Sequence, residues 1–108
     1  MSADAPLGTF EEQVMVAVVR TREEAYGMAV RREIASVLGR EVTIGAVYAT
    51  LDRLEAKGLV ASERTPGEAS RRVFTVTPRG ARALAASRAM RERLWQGVDL
   101  GPLLPEGA

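Results

Sequence analysis

The chain has 108 residues, 46% of them apolar and 27% charged, with a formal net charge of +1 and neither cysteine nor histidine. That length holds one domain with an adequate core, and the missing residue types remove disulfides, thiolate zinc sites and the usual neutral-pH base together. The longest apolar run, Val14 to Val19, is six residues, and Met1 to Pro6 lacks a signal-peptide pattern, so no membrane partner and a cytoplasmic location are expected.

The first helix is expected over roughly Thr9 to Arg20, with Phe10, Val14, Ala17 and Val18 along one face. Met15, Val16 and Val19 make it nearly apolar all round, so a second body is expected to cover what one small core cannot. The pairs Glu11/Glu12 and Glu23/Glu24 point about 100° apart on a helix or lie in a loop, and neither converges into an acid and base site. Tyr26 to Leu38 follows as a second helix, with Tyr26, Val30, Ile34, Val37 and Leu38 on one side and Gly39 as its stop. Only Arg40, Glu41 and Val42 separate that glycine from Thr43, the tight turn of a helix-turn-helix.

The third helix, within Thr43 to Val60, is the most complete. Thr43 is its N-cap, Ile44, Val47, Leu51 and Leu54 recur at spacings of three and four, and Gly58 supplies a left-handed stop. Ala46, Ala49, Thr50, Arg53 and Lys57 are read as the opposite side, a short polar face that can approach a groove. Two β-type runs come next, Leu59 to Thr65 and Arg71 to Thr77, joined through Pro66, Gly67, Glu68, Ala69 and Ser70. Phe74 and Val76 alternate toward the interior of this hairpin, and Arg64, Arg71 and Arg72 surround its loop.

Thr77 then caps a long last helix that opens on Pro78 and runs to about Gln96. Ala83, Ala86, Met90 and Leu94 mark one line of it, Leu84 and Trp95 flank that line, and arginines fill the other faces. Such a helix is too exposed for a monomer, and its small residues allow a partner helix to approach closely. No glycine-rich phosphate loop follows a strand, so neither an enzyme nor a cofactor or metal is expected. Charge is unevenly spread: residues 1 to 24 carry five acids and two bases, residues 40 to 80 seven bases and five acids, and residues 81 to 98 four bases and one acid. The amino-terminal arm is therefore a poor phosphate binder.

A helix-turn-helix followed by a basic hairpin is a winged helix, a mainly α fold with a small β-hairpin. The runs LGTFEEQVMVAVV, EEAYGMAVRREI, IGAVYATLDRLEAKGLV and RRVFTVTPRGARAL resemble the PadR family of bacterial transcriptional regulators, of the type with a short C-terminal helix, over residues 7 to about 97. The wing tip PGEAS is shorter than is common in that family, and Val73 and Phe74 stand where members carry an aromatic pair. The prolines and glycines after Gly97 make 98–108 a flexible tail, 1–6 is expected to be flexible too, and the resemblance implies a winged helix-turn-helix at 7–77 and a C-terminal dimerisation helix at 78–97. It further implies a nucleoid-associated homodimeric repressor bound to double-stranded DNA at a palindromic promoter operator.

Thr43 and Gly45 would present a hydroxyl and amides to a phosphate at the positive end of the helix dipole. Thr50 and Arg53 are candidates for base edges or the nearby backbone, and Tyr48 either packs half-buried or sends its hydroxyl to phosphate. Arg64, Arg71 and Arg72 would reach phosphate or a minor groove through the wing, or else stay solvated. The dimer seam is expected at Phe10, Met15, Val19, Leu84, Met90, Leu94 and Trp95, with Met90 and Trp95 also able to sandwich a flat aromatic effector. Two other classes stay open: a small-molecule sensor at that seam, and a protein-interaction winged helix that never touches DNA, suggested by the low net charge and by Asp52 and Glu55 in the third helix.

Overall fold

In the computed structural model, which describes residues 6–106, the elements run α1 (Thr9–Thr21), a 3₁₀ turn (Arg22–Glu24), α2 (Gly27–Leu38), α3 (Ile44–Ala56), β1 (Val60–Arg64), β2 (Arg72–Val76), α4 (Pro78–Trp95) and a second 3₁₀ turn (Gly101–Leu103). Apart from Pro6, the amino-terminal stretch expected to be flexible lies outside the described residues. Helix starts are fixed by local chemistry. The Glu11 carboxylate accepts from the Gly8 amide at 2.9 Å ahead of α1, and the Thr43 and Thr77 hydroxyls accept from the Ala46 and Gly80 amides at 3.1 and 3.0 Å. Their ends need left-handed residues: Gly39 has φ 68° and Gly58 φ 76°. At Gly58 the stop is a Schellman motif, with Leu59 donating to the Leu54 carbonyl at 2.9 Å and Gly58 to that of Glu55 at 3.0 Å. Leu54 and Leu59 are both buried, which supplies the apolar contact that accompanies this motif.

The three helices close around one core. Val14, Met15 and Val18 of α1 meet Val30 and Ile34 of α2 and Val47, Leu51 and Leu54 of α3, and Phe74 of the hairpin completes the cluster. Met15 is fully buried in this single-chain core. Its placement in a dimer seam is therefore wrong, because a fully buried methionine contributes about 1.5–3 kcal/mol relative to exposure and has no reason to leave. The outward side of α1 is instead carried by Val16 and Val19.

β1 and β2 pair antiparallel from Val60 opposite Val76 to Arg64 opposite Arg72. The tip is closed by Thr65 and Arg71, the Thr65 amide donating to the Arg71 carbonyl at 2.8 Å and the Arg71 amide to the Thr65 hydroxyl at 2.9 Å. A third extended piece joins this hairpin. The Phe74 amide donates to the Ala25 carbonyl at 2.8 Å, and Tyr26 bridges Val73, so the residues just ahead of α2 are hydrogen-bonded to the wing.

α4 leaves the hairpin at a close contact: a Cβ on Gly80 would lie 2.0 Å from the Leu59 carbonyl oxygen. Gly80 and Ser87 are buried, Ala83 and Leu84 partly so, whereas Met90, Leu94 and Trp95 are exposed. The radius of gyration is 16.3 Å against about 13 Å for a compact domain of this length, consistent with an arm that reaches beyond the body. Past Gly97, where a frayed tail is expected, the backbone turns through hydrogen bonds from Val98 to Trp95 and from Leu103 to Leu100, both 2.9 Å.

Gly27 tests how tightly α2 meets α3, since a Cβ there would lie 2.3 Å from the Tyr48 ring. Gly27→Ala is expected to cost about 1–3 kcal/mol by overpacking, and Tyr48→Ala in the same chain should recover part of that loss. Gly80→Ala meets backbone and should find no comparable rescue. Urea unfolding of the single and double variants checks this, with additive losses for Gly27→Ala and Tyr48→Ala as the contrary result.

Candidate nucleic-acid interface

α3 presents Gly45, Ala46, Ala49, Asp52, Arg53 and Ala56 outward, a face of short side chains with one long cation. Thr43 is exposed at its start, and a Cβ added to Gly45 would meet open space. Thr50 does not share this face. It is 2% exposed beside Leu51, and its hydroxyl accepts from the Arg53 guanidinium at 3.1 Å. Its expected role at a base edge is thereby corrected: the hydroxyl orients Arg53 from below and has no path to a groove. Lys57, assigned to the same polar face, pairs with Glu11 at 2.9 Å and ties the end of α3 to α1.

Beside α3 opens a cleft of about 540 Å³, lined by Tyr26, Met28 and Arg32 of the α2 start, Tyr48 of α3, and Arg64, Ser70, Arg71 and Arg72 of the hairpin. Tyr48 is half-buried with its ring against Gly27. The Arg71 guanidinium lies 4.3 Å from the centre of the Tyr26 ring, and Arg32 donates to the Tyr26 hydroxyl at 3.3 Å. The Arg32 hydrogen bond, with the Arg71 charge behind it, holds the Tyr26 phenol below the ordinary tyrosine value although desolvation pushes the other way. Among the described residues Arg32, Arg64 and Arg71 form no ion pair, so the cleft keeps its positive charge. Sequence reasoning missed Tyr26 and Arg32 as members of this site. The signal available was the AYG opening, whose glycine admits the Tyr48 ring.

Arg72 behaves differently from its neighbour. Its guanidinium pairs with Asp52 at 3.0 Å and with Glu55, donates to the Ser62 hydroxyl at 3.1 Å, and covers the Phe74 ring at 4.7 Å. Ser62 in turn donates to Glu55 at 2.8 Å. That hydroxyl, followed by the Arg72 guanidinium, lowers the Glu55 pKa. For Arg72 burial alone would lower the pKa, but Glu55 and Asp52 outweigh it and the net direction is upward. The expectation that Arg72 reaches a phosphate through the wing is corrected, because its charge is already met by two carboxylates of α3. Asp52 and Glu55 thereby serve an internal contact.

The expected seam residues divide by exposure. Phe10 and Leu84 are partly buried against the core, Val19 is 55% exposed, and Leu94 and Trp95 are 74% and 54% exposed. Met90 is exposed as well, and neither it nor Trp95 lines the basic cleft. No group of three or more acidic, histidine or cysteine side chains is placed to hold a metal, and no helix is long and apolar enough to cross a membrane, among the described residues.

Residues 15–86 match the family described as the transcriptional regulator PadR-like family. The chain belongs to the PadR family. It is 42% identical over 76 residues to the transcriptional regulator Rv3488 of Mycobacterium tuberculosis, an alignment covering 69% of this chain and 70% of that protein. A PadR family transcriptional regulator from Eggerthella lenta superposes with a TM-score of 0.66 at 33% identity, over 87% of this chain and 82% of the other. RosR of H. salinarum superposes with a TM-score of 0.69 at 26% identity, over 86% and 80%. This PadR-family member thus has the winged-helix DNA-binding fold, and its relatives are transcriptional regulators, not enzymes.

The Arg72 cluster has a pH signature. A carboxylate whose folded pKa is depressed stabilises the fold above its unfolded value, and that stability is lost as pH falls through the folded value. Glu55→Gln should therefore lower stability at pH 7, and its deficit relative to the parent should shrink as pH falls below the ordinary carboxylate value of 4.5. Denaturant titrations at a series of pH values check this; a deficit that is constant from pH 7 to 3 would remove the carboxylate charge from the account.

Proposed function

We propose that this PadR-family regulator is a homodimeric repressor that binds a palindromic promoter operator, entering the major groove with α3 and gripping flanking phosphates with the basic cleft. The observation that carries the reading is the adjacency of the two surfaces: a capped helix with a short-side-chain face, beside a cleft whose Arg32, Arg64 and Arg71 have no carboxylate partner among the described residues. Thr43 and Gly45 bring the positive helix end to a phosphate, and Arg53, held by Thr50, reaches a base edge. Tyr26 offers its hydroxyl, and Arg71 its guanidinium, to the backbone beside that groove. Tyr48 helps to shape the cleft through its contact with Gly27.

Two copies are needed because one reading helix covers only a few base pairs. The exposed Val19, Met90, Leu94 and Trp95, with the partly buried Phe10 and Leu84, would form the seam. A two-fold pair places its reading helices about 34 Å, one helical turn, or a whole multiple apart. Occupying a promoter at that spacing blocks transcription by exclusion. An effector reading attaches to the same seam, since Trp95 is the chain's one tryptophan and half of its side chain is bare. An aromatic effector stacked there would change its fluorescence, whereas binding elsewhere would leave the emission unmoved.

Three variants separate the roles of these arginines. Arg53→Ala should weaken specific binding by about 1–3 kcal/mol and relax preference at one base pair in each half-site. Arg71→Ala should flatten the plot of log affinity against log salt by roughly 0.9 for each phosphate that the substitution frees per chain, with stability little changed. Arg72→Ala should do the reverse, costing about 1–2 kcal/mol of stability while leaving the salt slope nearly intact. Fluorescence anisotropy with labelled duplex, at several salt concentrations, together with urea unfolding, measures all three. Equal salt slopes for the Arg71 variant and the parent protein would return Arg71 to solvent.

A further inference from the structure

Thr50 is a hydroxyl in a place where a core takes an aliphatic group. It is 2% exposed, it adjoins Leu51, and on the helical wheel it lies beside Val47 and Leu54. A β-branched side chain so enclosed has little rotamer freedom, and its oxygen becomes a fixed point. That oxygen accepts from Nη2 of Arg53 at 3.1 Å. Arg53 is exposed and, among the described residues, forms no ion pair. The acids around it are engaged elsewhere: Asp52 pairs with Arg72, and Glu11, near enough to feel the Arg53 charge, is held by Lys57 and the Gly8 amide. The guanidinium is therefore drawn back toward the preceding turn, where Ala46 and Ala49 keep the outer face short.

We propose that Thr50, without touching DNA, sets which base α3 reads, by leaving Arg53 a single donor fork that guanine alone can satisfy. This rests on the reading of α3 as the DNA-reading helix, within which Thr50 is a positioning residue. A guanidinium has two edges on which a pair of N–H groups lie parallel, one formed by Nε with Nη2 and the other by Nη1 with Nη2. Nη2 has one hydrogen on each edge. When Thr50 accepts one of them, one edge is closed and the other stays whole. Arginine offers donors only, so the whole edge needs two adjacent acceptors, and in the major groove these are O6 and N7 of guanine. Adenine sets a donor beside its N7, thymine offers one acceptor, and cytosine offers a donor. An untethered arginine swings between base edges and phosphates and gains affinity on any sequence, whereas a tethered one keeps its gain for one base.

Thr50→Val and Thr50→Ser separate this role from packing, because they move stability and base choice in opposite directions. Valine keeps the shape and removes the hydroxyl, so its urea midpoint should be no lower than the parent's; serine keeps the hydroxyl and loses a buried methyl, so its midpoint should fall. Base choice is read by fluorescence anisotropy on the duplex that the parent protein selects from a random pool, and on duplexes with each base pair of a half-site replaced in turn. The parent should prefer G·C at one position per half-site by about tenfold or more, Thr50→Ser should keep that preference, and Thr50→Val should cut it about threefold or more at that position alone. Arg53→Lys, which retains the charge and lacks the fork, should lose the preference, and adding Thr50→Val to it should change nothing further. If the parent selects no sequence, or Arg53→Lys leaves every preference intact, the reading of α3 through Arg53 fails and this proposal with it. If Arg53→Lys abolishes a preference that Thr50→Val leaves whole, the role of the hydroxyl alone is overturned. A preference that tracks stability and is weakest in Thr50→Ser would also overturn it, and a position lost with Arg53 that is not G·C would overturn the guanine assignment.

Discussion

One guanidinium ties the outer faces of the hairpin and α3 together. Arg72 leaves β2 and is answered from α3 by Asp52 and Glu55, from β1 by Ser62, and from beneath by the Phe74 ring. Single surface ion pairs contribute little, because water competes for both partners and long side chains lose freedom. Here the arginine is only 31% exposed, two carboxylates share it, and Ser62 fixes one of them, so the group behaves as a network with a defined geometry. Its consequence is that hairpin and helix present their outward residues as one surface.

A second set of contacts brings the start of α2 into that surface. The Ala25 carbonyl and the Tyr26 bridge hold it to β2, while the bare backbone of Gly27 lets the Tyr48 ring lie against it. Three elements distant in sequence thereby enclose the cleft of Tyr26, Arg32, Arg64 and Arg71. The division of labour among the arginines follows from this packing. Arg72 spends its charge inside the protein, whereas Arg71, one residue earlier, stacks on Tyr26 and keeps its charge toward solvent.

Much of the fold is legible in the sequence because its punctuation is local. Thr43, Thr77, Gly39 and Gly58 act at the positions where capping chemistry and left-handed geometry place them, and each strand differs by one residue at either end from its expected span. The site is less legible. Thr50 is polar and so reads as part of the outer face, yet at about 100° per residue it lies only about 60° from Val47 and 40° from Leu54, inside the buried arc. Arg72 is readable from alternation, since it shares a strand face with the inward Phe74, and the acids at Asp52 and Glu55 are its answer. Met15 points outward only if α1 has a narrow core face, but as the central helix it is buried on a broad arc that includes Val14, Met15, Ala17 and Val18. The cleft around Tyr26 has no local signature, because it is made by a pairing between segments nearly fifty residues apart.

The central claim is that this prearranged surface of α3, the α2 start and the wing reads DNA, and that two copies do so about a two-fold axis. Selection of duplexes from a random pool by the purified protein, followed by sequencing, tests it most directly. The account predicts enrichment of one inverted repeat whose half-site centres are about 10 base pairs, or a whole multiple of that, apart. A pool that remains random after repeated rounds, or that converges on a single unrepeated motif, would contradict it.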